Sequence, residues 1–488
     1  MGVLLHPTSL PGRHGIGTLG ADARRFVDWL AGAKMGLWQV LPIVPPGGGE
    51  SPYGSPAALC GNPWLIDLDE LVAANLLAAS ALPSAEFPQN YVDFATVYAA
   101  KRPLLALAAD RLVASTEHPW HAQLRQYFQT QDRVVQAAIF NALHDVHRHQ
   151  PWWLWPDAVR KRDVGALNQV RKELSPQIDR YVALQFLFDL QWKNLRHYAN
   201  HRGIRLVGDL PIYVDGDSAD TWCHPLLFQL NSQGKPQKIA GVPPDYFSDE
   251  GQLWGNPLYD WAAMAKDDYA WWIARLERAL AQTDLVRLDH FRGFAAYWAV
   301  AADAKDARGG TWQRGPGVAL FAALQRHFGG LPLIAEDLGD IDAKVEKLRD
   351  IVGLPGMRIV QFAFGGPSNH PFLPHNHVPH SVVYTGTHDN DTIVGWWRSS
   401  PQVHDHARRY LGRPIDNVAY EMLRTALASV ADTAIVPMQD LLGLGSEARM
   451  NTPGVAAGNW GWRVRSDALT SQAAENIKQL ALLFDRVR

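Results

Sequence analysis

Three stretches of the chain repeat one pattern: a short β-prone run, an acidic residue at its end, then a helix-breaking residue. They are Val286-Arg287-Leu288-Asp289-His290-Phe291-Arg292-Gly293, Leu333-Ile334-Ala335-Glu336-Asp337-Leu338-Gly339 and Val382-Val383-Tyr384-Thr385-Gly386-Thr387-His388-Asp389-Asn390-Asp391-Thr392. A parallel βα barrel draws its active groups from the C-terminal ends of several different strands. Carboxylates delivered this way, from Asp289, Glu336 and Asp389, would converge on one pocket. In a strand, residues i and i+2 point to the same face, so Arg287 and Asp289 can sit side by side. A neighbouring cation favours the ionised carboxylate, which is the form a nucleophile needs. The competing reading of this octapeptide is an ordinary Arg/Asp pair at a strand end.

The rest of the chain can be read around that barrel. An apolar start and a helix near 21–31 precede a strand at Gly36–Ile43, which Pro45 and Pro46 end. The breaker-rich loop that follows carries Ser51-Pro52-Tyr53-Gly54, the kind of segment in which a rigid scaffold holds function. From about 67 to 180 the sequence is rich in Ala, Leu, Gln and Arg without strand alternation, which predicts a helical insertion with no catalytic role. Within it, Pro151-Trp152-Trp153-Leu154-Trp155-Pro156 reads as an aromatic anchor for the insertion, with a sugar-binding platform as the alternative. Leu184, Leu187, Phe188, Trp192, Leu195 and Tyr198 recur at helical spacing up to Gly203, defining a barrel helix. Ile204-Arg205-Leu206-Val207 is then the next strand, bringing Asp209 to its end as a supporting residue.

The interval from Asp209 to Asp289 far exceeds the roughly 30 residues that one unit of an average βα barrel uses. An insertion over about 215–262 accounts for the excess. Its Gly- and Pro-rich part, with Asp245, Tyr246, Phe247 and Trp254, reads as an active-site lid rather than a secondary element. Asp289, Glu336 and Asp389 are spaced as the ends of strands four, five and seven, with Met357–Phe362 as the strand between. A second helical insertion is expected over about 395–455, and Asn459-Trp460-Gly461-Trp462-Arg463 is expected near the final strand. The fold class is therefore α/β: one (β/α)8 barrel spanning 1–488, interrupted by large, mainly helical insertions.

These segments closely resemble the amylomaltases, also called disproportionating enzymes or 4-α-glucanotransferases, a glycoside hydrolase family of the α-amylase clan. The resemblance begins at Gly2-Val3-Leu4-Leu5-His6-Pro7-Thr8-Ser9-Leu10-Pro11 and recurs at Gly61-Asn62-Pro63 and Gly208-Asp209-Leu210-Pro211-Ile212-Tyr213-Val214. It continues through Gly241-Val242-Pro243-Pro244-Asp245-Tyr246-Phe247-Ser248, Trp254-Gly255-Asn256-Pro257 and Arg449-Met450-Asn451-Thr452-Pro453-Gly454. It implies a transferase that moves α-1,4-glucan segments between maltooligosaccharides or starch chains, or to glucose, by a retaining double displacement. It further implies Asp289 as nucleophile, Glu336 as acid/base and Asp389 as the third carboxylate. Tyr53, Asp209, Trp254, Arg287, His290 and His388 are the implied substrate-binding residues. The sequence departs from the family at Ala299-Val300-Ala301-Ala302, where a proline is commoner, and at Val455, where a threonine is commoner; both lie off the carboxylate trio.

Retention requires a nucleophile and an acid/base carboxyl about 5–5.5 Å apart. Arg287 is expected to hold Asp289 ionised, while the negative charges of Asp289 and Asp389 favour the protonated form of Glu336. Asp391, rather than Asp389, suits the cap of the following helix. A retaining α-glucan hydrolase would use the same carboxylates but usually carries a C-terminal β-sandwich, which the short stretch after Trp462 does not accommodate. A non-catalytic glucan-binding protein would have lost one of the three carboxylates. His290 and His388 are single residues on separate strands, without a helical HExxH pair, so no metal site is expected. No GxGxxG or GxxxxGKS stretch calls for a nucleotide cofactor.

Composition narrows the partners. A formal net charge of −3 gives no broad basic field for nucleic acid or anionic lipid, so a neutral ligand fits better. The 19 Trp, 14 Tyr and 17 Phe supply planes on which sugar rings pack, although most must fill the core. Cys60 and Cys223 are the only cysteines, which suits a reducing compartment. The apolar, uncharged stretch 71–85 is interrupted by Asn75 and Pro83 and is too short to span a bilayer. Together with an N-terminus lacking a signal pattern, this predicts a cytoplasmic location.

Overall fold

The computed structural model describes residues 1–244 and 249–487. Tyr246 and Phe247, two aromatics of the expected lid, lie outside the described residues. Eight parallel strands run in chain order around one sheet: Gly2–Leu4, Leu37–Gln39, Arg205–Leu210, Leu285–Leu288, Leu333–Ala335, Gly356–Ile359, Ser381–Tyr384 and Thr433–Pro437. Alternation along each strand divides its side chains between two cores. Leu4, Leu37, Val207, Ile334, Met357, Ile359, Val382, Tyr384 and Ile435 meet inside the barrel. Val3, Trp38, Leu206, Val383, Ala434 and Val436 face the outer helices, as do Val286, Leu288, Leu333 and Ala335 on the other side of the ring.

Between the fifth and sixth strands the ladder thins to Ala335 N–H donating to Pro355 O at 2.9 Å. Asp337 supplements it by accepting from Met357 N–H at 2.6 Å. The same carboxylate takes a charge-assisted bond from Arg349 at 2.6 Å, with Arg358 3.7 Å away. Only glycine fits at position 356, because a Cβ there would lie 2.3 Å from Asp337 Oδ2. The acidic residue after Glu336 thus closes the barrel at its weakest seam.

The barrel helix spans Ser175–His201 and buries Leu184, Leu187, Phe188, Trp192 and Leu195. The preceding region folds into helices Leu68–Ala73, Phe94–Ala114, His121–Thr130, Asp132–Val146 and Val164–Glu173. Trp152 and Trp155 are buried in one cluster, Trp155 against Phe140 and Trp222, and the Trp152 indole N–H donates to Gly216 O at 2.9 Å. These two aromatics anchor the helical region to the loop after strand three. Among the described residues no helix is long and apolar enough to cross a membrane.

Two expectations need correction. The last barrel strand is Thr433–Pro437, inside the span read as a second helical insertion, and Asn459–Arg463 forms no strand. Thr433-Ala434-Ile435-Val436-Pro437 is an apolar run closed by proline, and its burial on both faces is what a parallel strand requires. The presumed lid also contains regular structure. Lys238–Val242 and Gln252–Pro257 pair antiparallel, and Lys238–Val242 pairs in turn with Ala296–Ala301, which pairs with Thr311–Arg314. The partner strand follows the fourth barrel strand in sequence, so this long-range pairing has no local signal.

The seam is testable. Asp337→Ala removes the acceptor for Met357 N–H and leaves Arg349 without its buried partner, a change that costs about 3–5 kcal/mol. A lower thermal midpoint is expected for Asp337→Ala, with a smaller loss for Asp337→Asn, which keeps an oxygen facing Met357. Equal midpoints for wild type and Asp337→Ala would refute the seam role.

Candidate active site

On strand four, Leu285 and Arg287 point into the barrel, and the next inward position is Asp289. Register pairs Arg287 with Asp209 across strands three and four. Arg287 Nη1 lies 2.9 and 2.7 Å from the two Asp209 oxygens and 3.0 Å from Asp289 Oδ1. One guanidinium therefore holds both carboxylates. Asp209 has no exposed side-chain surface, whereas that of Asp289 is 25% exposed. Tyr53 completes the inner group by donating its hydroxyl to Asp209 Oδ2 at 3.0 Å. Burial raises the Asp209 carboxyl above the usual range, and Arg287 opposes that shift. Asp209 is fully engaged, while Asp289 keeps a surface open to the pocket.

Strands four and five pair Val286 with Leu333, Arg287 with Ile334 and Leu288 with Ala335. One step further, Asp289 stands beside Glu336. Neighbouring strands lie about 4.7–4.9 Å apart, so the two carboxyls start from a separation near the value for retention, about 5–5.5 Å. Glu336 is fixed by two backbone donors: His290 N–H at 2.7 Å to Oε2 and Leu338 N–H at 3.0 Å to Oε1. The first bond depends on His290 adopting a left-handed φ of 49°, a conformation a non-glycine residue keeps only where its surroundings enforce it. The Glu336 carboxyl is pushed up to about 8, first by burial and then by the Asp289 charge, with Arg287 and the two N–H donors acting against the shift. Burial is thus the leading cause, where sequence reasoning named Asp289 and Asp389.

Asp389 sits past the end of strand seven with its side chain 46% exposed. Its Oδ1 accepts from Asn451 Nδ2 at 2.6 Å, and its backbone carbonyl accepts from Arg449 at 2.7 Å. His388 is buried, stacks on Tyr53 with centroids 5.2 Å apart, and lies 6.0 Å from Trp460. Trp254 meets His290 edge to face at 4.7 Å. Burial lowers both histidines, His290 to about 4, so each is a neutral hydrogen-bonding group at neutral pH. All nine residues singled out in the sequence therefore belong to one contiguous constellation.

Other residues of the site had not been assigned. Asn451, Arg449 and Trp460 come from the segment after strand eight, whose position the misread final strand obscured. The capping expectation also changes: the N-cap of helix Ile393–Ser399 is Thr392, whose side chain accepts from Gly395 N–H. Asp391 instead accepts from Ser446 Oγ at 2.7 Å, tying this loop to the strand-eight segment. Among the described residues no group of three His, Cys, Asp or Glu side chains is arranged to hold a metal ion.

The sequence profile of a family described as 4-alpha-glucanotransferase matches residues 5–470. The chain is 46% identical over 494 residues to the chloroplastic/amyloplastic 4-alpha-glucanotransferase of Arabidopsis thaliana, covering 100% of this chain and 85% of that protein. It is 44% identical over 497 residues to the 4-alpha-glucanotransferase of Thermus thermophilus, covering 100% and 99%. Among solved structures, the amylomaltase of Streptococcus agalactiae in complex with acarbose superposes with a TM-score of 0.96 at 38% identity, covering 100% of this chain and 99% of that one.

Among the described residues Asn451 is the one that donates a side-chain hydrogen bond to the Asp389 carboxylate, and Asn451→Ala removes it. A hydrogen bond to a charged group contributes about 1.5–3 kcal/mol, so kcat/KM on maltotriose should fall roughly 10- to 100-fold. Asn451→Asp, which sets a carboxylate against a carboxylate, should fall at least as far. Steady-state kinetics on folded variants check both, and a loss under twofold for Asn451→Ala would remove Asn451 from the site.

Proposed function

This chain belongs to the 4-alpha-glucanotransferase family and transfers glucan segments rather than hydrolysing them, and on that premise we propose that Asp289, Glu336 and Asp389 carry the transfer. The observation that supports this most is the register of strands four and five, whose last pair, Leu288 with Ala335, delivers Asp289 and Glu336 next in line, one pressed against a guanidinium and the other raised by burial. The substrate is an α-1,4-glucan; maltooligosaccharides serve as donors, and maltooligosaccharides or glucose as acceptors.

In the first step an Asp289 oxygen attacks the anomeric carbon as the glycosidic C–O bond breaks. The Glu336 carboxyl gives its proton to the departing oxygen, so the leaving chain exits with a free 4-hydroxyl. The product is a glycosyl ester on Asp289, with the configuration inverted once. In the second step the 4-hydroxyl of an acceptor attacks that carbon, Glu336 takes its proton, and Asp289 leaves as carboxylate. Two inversions give net retention. Asp389, held by Asn451 and faced by the neutral His388, binds sugar hydroxyls at the cleavage site and opposes the positive charge that develops there. Arg287 and Asp209 do no bond chemistry; they fix the direction of Asp289.

Three measurements test this reading together. Maltotriose incubated with the protein should yield a ladder of longer oligosaccharides plus glucose, whereas glucose and maltose alone would mean hydrolysis. Glu336→Gln should lose maltotriose turnover yet keep the first glycosylation step with an α-maltosyl fluoride, whose leaving group needs no proton. Because Glu336 must be protonated to start the cycle, kcat/KM should hold through neutral pH and fall as pH rises through about 8. An alkaline limb that persists unchanged in Glu336→Gln with the fluoride donor would assign that ionisation elsewhere.

Favouring an acceptor sugar over water calls for excluding water from the glycosyl ester. We assign a share of this to Trp254, whose ring adjoins His290 and whose strand is bound through Lys238–Val242 to Ala296–Ala301. Trp254→Ala should raise the ratio of new reducing ends to released glucose, since transfer conserves reducing ends and hydrolysis adds them. Fluoride release from the activated donor should change less. An unchanged ratio in the folded variant would rule Trp254 out of acceptor selection.

A further inference from the structure

The roomiest cavity among those described lies away from the carboxylates. It is a groove of about 530 Å³ between helix Ala21–Gly32 and the 466–475 segment, within the 300–1,000 Å³ range of ligand sites. Asp22, Arg25, Asp28 and Gly32 recur along one face of the helix, while Phe26, Val27 and Leu30 turn inward, with Phe26 against Trp38 on the outer side of strand two; Trp29 is buried beside Phe26 and shows the groove only an edge. The groove is therefore outside the barrel wall, whereas the carboxyl trio faces its mouth. From Asp22 to Gly32 it extends roughly 15 Å at the helical rise of 1.5 Å per residue.

Its chemistry selects a neutral, hydroxyl-rich ligand. Each carboxylate already carries a cation: Asp22 pairs with Arg25, Asp28 with Arg202 at 2.9 Å and Glu475 with Lys478 at 3.0 Å. An incoming ion would have to break these pairs, but hydroxyls can use the remaining lone pairs and N–H groups without displacing them. Trp29 supplies an aromatic edge beside them, held by its indole N–H donating to Thr470 O at 3.0 Å. Alternating polar contacts beside an aromatic ring match the hydroxyl edges and apolar faces of a sugar chain. We propose that this groove is a second α-glucan-binding site that holds a remote stretch of a long polysaccharide. The proposal rests on the transferase reading above for the identity of the polymer. Engaging one chain at two points raises its effective concentration at the carboxylates without any new contact there.

Gly32 provides the test. It is exposed, and a Cβ built there meets nothing within 4 Å, so Gly32→Arg places a long side chain at the groove without a backbone clash. Affinity electrophoresis through amylopectin, with acarbose present to occupy the carboxylate site, should show at least threefold weaker retardation for Gly32→Arg than for wild type or Gly32→Ala. The double variant Asp22→Ala/Glu475→Ala, which removes two of the groove's three carboxylates, should show the same loss. Maltotriose disproportionation should stay unchanged in all of them. Amylopectin retardation equal to wild type in both blocking variants would overturn the groove as a glucan site, as would equal retardation of wild type by a non-glucan polyol gel. Absence of maltotriose transfer in wild type would instead overturn the transferase reading, so the two failures are distinct.

Discussion

One guanidinium sets the geometry of this site. Arg287 is almost fully buried at the barrel mouth, and removing a cation from water is costly unless anions surround it. Asp209 and Asp289 meet that requirement from strand three and from the end of Arg287's own strand. The division between them follows from depth. Asp209 is enclosed and also takes the Tyr53 hydroxyl, so its oxygens are occupied, while Asp289 keeps a solvent-facing side. A cation required for burial reasons thereby becomes the part that aims one carboxylate at the pocket. The raised Arg287 pKa, driven by the two aspartates against the burial that opposes its charge, expresses the same balance.

Much of this was legible because strand periodicity and strand ends leave strong local marks. Asp289, Glu336 and Asp389 each follow a run of apolar residues, and parallel strands fully covered on both faces read as such runs. The identity of the neighbours was legible through the i, i+2 rule for Arg287 and Asp289 and through strand order for Glu336. The seam residue Asp337 was not, because the sequence offers two adjacent carboxylates and only the pairing of strands five and six tells which one turns outward to Met357 and Arg349.

The misreadings share a physical cause. Lys238–Val242 lies between Gln252–Pro257 and Ala296–Ala301, and its pairing with the latter depends on residues far apart in sequence. Without that partner the Gly- and Pro-rich stretch before it reads as loop. Likewise Thr433–Pro437 lies between helical segments, and its five residues are too few to outweigh the periodicity on either side. Losing that strand hid Asn451 and Arg449, which sit on the loop it leads to. Trp152 and Trp155 show the reverse case: their clustering was visible, and it is accounted for by Trp155 packing on Phe140 and Trp222 and by the Trp152 indole bond to Gly216 O.

His290 joins the parts that were read separately. Its left-handed backbone turns its N–H onto Glu336, its ring receives the edge of Trp254, and the residue before it is Asp289. A conformation that costs of order 1–3 kcal/mol persists only where surrounding bonds over-determine it. Here Phe291 N–H donates to Glu336 O and Gly293 N–H donates to His290 O, locking the turn from both sides. Gly293 packs closely here as well: a Cβ at that position would come within 2.6 Å of the Ile212 terminal methyl and 3.1 Å of the His290 ring. The Asp289–Gly293 turn is thus a single mechanical unit: a displacement of the Trp254 strand acts on the same residue that orients Glu336. Coupling between the segment over the pocket and the proton donor at its floor follows from that shared residue, through contacts no longer than one side chain.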